Sequence, residues 1–283
     1  MSLAIGIGSS HGAQAAAQVL HSSKTDRVTA QSTNPIPAYT ARYRAQAYGN
    51  ELIATTELRY TGDRAIFRFN AEVQGFLRAL GRFAFERESE VALDPHHYRL
   101  IRSHARQETP RRTRTADAVI TPTDVTTHDS ESQPIDPSQT TLTATGTVNE
   151  REFTLTTTGP VDDFLSSLLN AMRDTARHRP TDSSDASYND RSRSDTVVLL
   201  ERGEFRHYQL EYTGHETLNV QSLGEISAQR IDRFDEAGEL VFSAWLAIDH
   251  YGIPVRFDYI DDRRYRLELQ SVTFATPPSA ETR

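Results

Sequence analysis

Apolar and polar residues alternate with period two over most of this chain, and turn residues separate the runs, which is the pattern of half-buried antiparallel strands. Tyr39, Ala41, Tyr43, Ala45 and Ala47 face one way, while Thr40, Arg42, Arg44 and Gln46 face the other. Leu52, Ala54, Thr56, Leu58 and Tyr60 continue the apolar face after a turn at AYGNEL, and Ala65, Phe67, Phe69, Ala71 and Val73 follow the turn TGD. A longer run from Leu77 to Leu93 sets Phe83 and Phe85 against Arg82, Glu86, Glu88 and Glu90, and a fifth strand follows Pro95, which breaks the ladder. The second half repeats the habit at 197–200, 205–212, 218–223, 226–234, 240–248, 255–260 and 265–274, with RG, TGH, AG, YG and DD as tight-turn signals between runs. About a dozen strands on short connections predict a mainly β fold, a curled antiparallel sheet or open barrel.

The run VFSAWLAI at 241–248 is apolar on both faces, so each face needs cover. One segment, 161–176, has the helical period: Phe164, Leu165, Leu168, Leu169 and Met172 form an apolar stripe. Pro160 suits a first turn, Asp162 and Asp163 sit where the helix dipole favours anions, and Arg173, Arg177 and His178 sit near the other end. The expected arrangement is this amphipathic helix against the concave face of the sheet. Small inward residues such as Ala41, Ala45, Ala54 and Ala71 line a sheet without filling it, which points to a cavity. Its candidate lining is Tyr43, Phe67, Phe69, Phe83, Phe85, Phe164, Leu168, Met172, Trp245 and Phe257.

The domain reading is one β domain over 37–274. Residues 109–139 and 177–195 are rich in Ser, Thr, Asp and Pro and read as polar inserts, and 1–36 and 275–283 read as flexible ends. The start carries a short apolar run at Leu3–Ile7 and an A-x-A at Ala13–Ala15, the tail of a secretory signal without its charged region. No stretch approaches the roughly 18 apolar residues that span a bilayer.

Charge and composition narrow the partners and the chemistry. A net charge of -8 argues against nucleic acid or an anionic membrane surface, both of which need concentrated Lys and Arg. The chain has no cysteine, which excludes disulfides, thiolate metal sites, a cysteine nucleophile and a lipidated N-terminal cysteine. His97 and His104 stand seven apart on a predicted strand, on opposite faces, so no metal site is expected. Asp249 and His250 sit in a turn with no G-x-S-x-G elbow nearby, and Glu86, Glu88 and Glu90 share one face of one strand, where a carboxylate row is a solvated face. No phosphate-cradling glycine loop precedes a helix. No cofactor and no catalysis are expected.

The stretches LDPHHY, VDDFLSSL, YTGHETLNVQSLGEISAQRI and WLAIDHYGIPVRFDY resemble the signature of an exported bacterial family catalogued as domain of unknown function 3108, over roughly 37–108 and 153–274. That resemblance implies a curled antiparallel sheet of the kind seen in the lipoprotein carriers LolA and LolB, an envelope location and a signal peptide. The functional expectation is a non-catalytic periplasmic protein, not lipidated, that binds a lipid or lipoprotein acyl chain inside the sheet. The alternative is a structural or partner-binding envelope protein with a filled core.

Overall fold

The computed structural model describes residues 36–47, 50–74, 83–123, 140–177, 193–260 and 264–275. By contact the chain divides into Met1–Thr33 and Asn34–Arg283, and every described residue lies in the second unit. The strands are β1 (Tyr39–Ala47), β2 (Asn50–Thr61), β3 (Arg64–Gln74), β4 (Ala84–Ala92), β5 (Arg99–Thr109), β6 (Arg112–Pro122), β7 (Thr141–Val148) and β8 (Arg151–Thr158). Helix α1 (Phe164–Arg177) follows, then β9 (Arg193–Glu201), β10 (Glu204–Val220), β11 (Gly224–Phe234), β12 (Leu240–Ala247), β13 (Ile253–Ile260) and β14 (Arg264–Phe274).

All fourteen strands form one sheet in the order β8-β7-β6-β5-β4-β3-β2-β1-β14-β13-β12-β11-β10-β9. Each half is an up-and-down meander, and the two halves meet where β1 pairs antiparallel with β14, Tyr39 opposite Phe274. The chain ends of the sheet therefore sit at its middle, and its rims are β8 and β9, the strands that flank the helix.

The sheet curls around the helix. Helix α1 touches β3 and β4 on one side, and β9 and the 3₁₀ turn Ile248–His250 on the other. In a flat sheet β4 and β9 would stand roughly 40 Å apart, nine strand spacings, whereas a helix is only about 10 Å wide. The rims also approach each other: a Cβ on Gly203, in the β9–β10 turn, would lie 3.0 Å from Val148 Cγ2 and 3.1 Å from Phe153 Cδ1. At the other end of the seam Asp162 bridges Leu199 of β9, donating its N–H to Val198 O at 3.0 Å and accepting from Leu200 N at 2.8 Å.

Four sequence expectations change. Residues 109–122, read as polar insert, form the β5–β6 hairpin and β6, because Ala116, Ala118 and Ile120 keep the inward period within a Thr- and Arg-rich stretch. The Thr-rich strands β7 and β8 carry the same weak alternation. The run at 205–212 and the start of the run at 218–223 are one strand, β10, whose register shifts between Tyr212 and His215 beside Gly214 at φ +96°, while 221–223 turn into β11. Ile36, read as part of a flexible end, is buried and accepts the Tyr60 hydroxyl at 2.8 Å. The leader-like start, and the parts of both inserts at 124–139 and 178–192, lie outside the described residues.

Gly252 sets how closely the helix approaches the sheet. It adopts φ +68°, and a Cβ there would stand 2.3 Å from Met172 O on α1. Gly238 has φ +78°, and a Cβ there would meet nothing within 4 Å. Gly252→Ala should therefore lose about 2 kcal/mol or more in urea unfolding, and Gly238→Ala only the backbone cost of about 1 kcal/mol. Equal losses at the two positions would show that the Met172 contact does not set the spacing.

Candidate functional site

Helix α1 is buried nearly all round, not along one stripe. Leu165, Leu168, Leu169 and Met172 are buried, and so are Ser166, Ser167, Asn170, Arg173 and Thr175. Its polar face is buried because the loop and strands on that side offer polar partners. Asp163 is the N-cap: its Oδ1 accepts from Ser166 N at 2.8 Å, and its own N–H donates to Ser166 Oγ at 2.9 Å, a reciprocal capping box. The same carboxylate accepts from Ser89 Oγ of β4 at 2.6 Å and Ser103 Oγ of β5 at 2.6 Å. Asp162 and Asp163 thus precede the helix and tie it to the sheet, where the sequence reading placed them inside its first turn. Burial pushes the Asp163 carboxyl above its ordinary range, against the opposing pull of the Ser103, Ser166 and Ser89 hydrogen bonds.

Asn170 treats an irregular stretch of backbone as a strand neighbour would. Its Oδ1 accepts from Tyr98 N at 2.8 Å, and its Nδ2 donates to Tyr98 O at 3.0 Å. His97, placed by the sequence on a strand face opposite His104, is half-buried with Nε2 at 3.2 Å from Asp162 Oδ2. Burial works against its charge, but the hydrogen bond and negative charge of Asp162 outweigh it, so the imidazole holds its proton above the usual range. His104 pairs elsewhere, with Asp117 at 2.7 Å across β5 and β6. Among the described residues no group of three or more His, Asp or Glu stands together to hold a metal.

The ten cavity candidates fall into three groups. Tyr43, Phe67, Leu168, Met172 and Phe257 are packed core. Tyr43 donates its hydroxyl to Pro254 O at 2.9 Å and stacks 5.2 Å from Phe257, and Phe67 lies 6.3 Å from Tyr39. Trp245 is buried but on the wrong face: Phe242 and Ala244 line the helix side of β12, so Trp245 points away from it. There Arg230 and Arg256, opposite it on β11 and β13, lay guanidinium groups 5.1 and 4.3 Å from the indole centre, and the indole N–H donates to Glu216 Oε2 at 2.8 Å. Polar neighbours continue this face, with Ser243 Oγ donating to Asp232 at 2.6 Å and Arg266 forking onto Asp258 at 2.9 Å. These charged groups, not the helix, cover the far side of VFSAWLAI.

The third group, Phe69, Phe83, Phe85 and Phe164, is half-buried. Phe69 and Phe85 meet at 6.0 Å, Arg87 lies 5.0 Å from Phe85 and 5.1 Å from Phe164, and Arg233 lies 5.1 Å from Phe164 on β11's side. The result is a continuous band of aromatic rings and guanidinium groups along the inner face, beyond the N-terminal end of α1. Sequence reasoning picked its rings by alternation and missed Arg87 and Arg233, whose inward phase was readable from Phe85 and Ile231 two residues away. By contrast, the cleft between Phe164, Leu168 and Ala171 of α1 and Leu210, Ile231 and Phe242 of the sheet holds only about 20 Å³. Pockets for organic ligands run to about 300–1,000 Å³. Among the described residues the helix is therefore packed against the sheet at this cleft and roofs no cavity of that size. The carboxylate row on β4 is likewise neutralised, Glu88 by Arg68 and Glu90 by Arg64 on β3.

Two outcomes follow. Replacing both Leu168 and Met172 by Asp should abolish the β signal in circular dichroism, because two charges would enter packed core; retained structure would mean that the helix covers a void. The His97–Asp162 pair should make stability pH-dependent. A folded-state pKa raised above the unfolded value of about 6.5 gives stability that is complete below that pH and lost as pH rises through the folded pKa. The urea midpoint should fall as pH rises above about 6.5 and fall less in His97→Gln, and identical slopes would rule out the pair.

No family model matches the chain, and no curated protein matches it. In structure it is similar to a crystallised beta-barrel-like protein of domain of unknown function DUF1849 from Brucella abortus, with a TM-score of 0.52 and 10% identity over 85% of this chain and 99% of that one. At that identity the likeness is one of fold: a curled, β-barrel-like antiparallel sheet whose function is uncharacterised. The family resemblance of the stretch from Trp245 to Tyr259 rests on the sequence alone. Among the described residues no helix is long and apolar enough to cross a membrane.

Proposed function

We propose that the protein is a non-catalytic cell-envelope protein that receives a lipid or similar apolar ligand on the inner face of its curled sheet. The observation that carries this reading is the half-buried band of Phe69, Phe85 and Phe164, three large rings turned to the inside of the sheet and left partly uncovered by the helix. Contiguous apolar surface of this kind is a normal mark of a binding site, and an inward position removes the aggregation hazard of the same rings on the outside. The ligand site moves relative to the sequence expectation: it lies beside the helix, not beneath it. The exported-family resemblance supports the periplasmic location, and the beta-barrel-like neighbour supports a container for the ligand.

A second reading, a structural or partner-binding envelope protein with a filled core, is favoured by the small cleft under α1. The two separate in one experiment. Protein purified from its own envelope should carry an apolar ligand detectable by native mass spectrometry and solvent extraction. Replacing Phe69 and Phe85 by Ser should cut the retained amount at least about tenfold with an unchanged circular dichroism spectrum. Ligand-free wild-type protein that captures a partner protein instead would establish the second reading. Recovery of the chain in the cytoplasmic fraction would overturn the envelope location.

A further inference from the structure

The guanidinium groups in the aromatic band are incompletely satisfied. Arg87 Nε and Arg233 Nε are both buried and donate to no acceptor among the described residues. The Arg233 side chain is only 8% exposed, and it lines the small cleft beside Phe164. A buried donor without an acceptor is costly, more so when it carries charge, and in a native fold such a group is met by ordered water or by a bound ligand. The nearby carboxylates leave these two Nε donors unmet, although Arg233 forms one ion pair, through Nη1 to Glu201 Oε1. Asp163 is held by Ser89, Ser103 and Ser166, and Glu201 accepts the Tyr208 hydroxyl at 2.9 Å while standing 3.8 Å from Arg233 Nη1. The guanidinium groups of Arg87 and Arg233 both lie 5.1 Å from one ring, that of Phe164, so the two positive charges converge there. Burial, chiefly, and the charge of Arg87 lower the pKa of the Arg233 guanidinium, against the opposing pull of Glu201 and Tyr208.

We propose that the ligand is an amphiphile with an anionic head group, a carboxylate or phosphate, whose head reaches Arg87 and Arg233 while its apolar part lies along Phe69 and Phe85. This deepens the apolar-ligand reading and rests on it. The cleft of about 20 Å³ that Arg233 lines has room for a single head-group oxygen and not for a chain, which is left to the rings of Phe85 and Phe69 beyond Arg87. A guanidinium fork is also the side chain best suited to the planar edge of a carboxylate or to two phosphate oxygens.

The test is calorimetric titration of delipidated protein with four probes: oleate, oleyl alcohol, acetate and inorganic phosphate. Oleate should bind at least about tenfold more tightly than oleyl alcohol, the difference worth one charge-assisted contact, and acetate and phosphate should bind far more weakly than either. Arg87→Met with Arg233→Met should erase the preference for oleate and leave oleyl alcohol unchanged. Arg87→Met alone, at a half-buried position, should reduce the preference and serves where the double variant loses its circular dichroism signal. Equal binding of oleate and oleyl alcohol by the wild type would overturn the head-group assignment and leave the apolar site standing. Acetate or phosphate binding as tightly as oleate would replace the amphiphile with a free anion. No binding by oleate or oleyl alcohol would overturn both the assignment and the apolar site.

Discussion

At residues 162 and 163 the chain leaves its last meander strand and turns into the helix, and two adjacent aspartates hold that turn from both sides. The backbone of Asp162 joins the rim of β9, while its carboxylate gathers Ser166, Asn170 and His97. The carboxylate of Asp163 caps the helix and reaches Ser89 and Ser103 on β4 and β5, far from β9 in the sheet order. One dipeptide therefore fixes the helix to strands from both halves of the sheet and sets how tightly the sheet must curl. Burying the Asp163 carboxylate is unfavourable, and the hydrogen bonds it accepts from Ser89, Ser103 and the Ser166 N–H offset that cost.

With the helix held there, the inner face divides into two regions. Around the middle and C-terminal part of α1, contact is close enough that Gly252 must be glycine, and the core is filled. At the first turn, Phe164 is the outermost residue of the helix to touch the sheet, and beyond it the inner surface opens onto Phe69 and Phe85. The proposed binding surface is thus a consequence of where the helix stops. The charged ladder around Trp245 has a complementary effect on the other face, where the guanidinium groups of Arg230 and Arg256 shield the indole.

Much of this architecture was legible in the alternation of apolar residues, because period two is dictated by the pleat and survives wherever one face is buried. Strands β6 to β8 were not, since Thr carries the β preference there without the hydrophobicity that marks a strand. The cavity residues were half legible. Alternation identified inward rings but not how deep each lies, because depth depends on the helix position, and that depends on the hydrogen bonds of Asp162 and Asp163. Trp245 was misassigned to the cavity because hydrophobicity suggested the core side, whereas its cover comes from Arg230 and Arg256, two residues whose composition argues for solvent. The buried polar face of α1 was invisible for the same reason: Ser166, Asn170 and Arg173 are buried only because Asp162, the Tyr98 backbone and Asp174 await them.

The pairing of β1 with β14 has a consequence for how such a chain is made. During synthesis the eight-strand meander from Tyr39 to Thr158 emerges first, with β1 as an unsatisfied edge at what will become the centre of the finished sheet. Nothing local can close that edge, because its partner, β14, is made only after the thirteen other described strands. Completion of the sheet is therefore the final, most sequence-distant event, a high-contact-order step that rewards keeping the chain unfolded until all of it is present. A chain cut short before Arg264 would lose its seam and not a rim, leaving two half-sheets that share a helix.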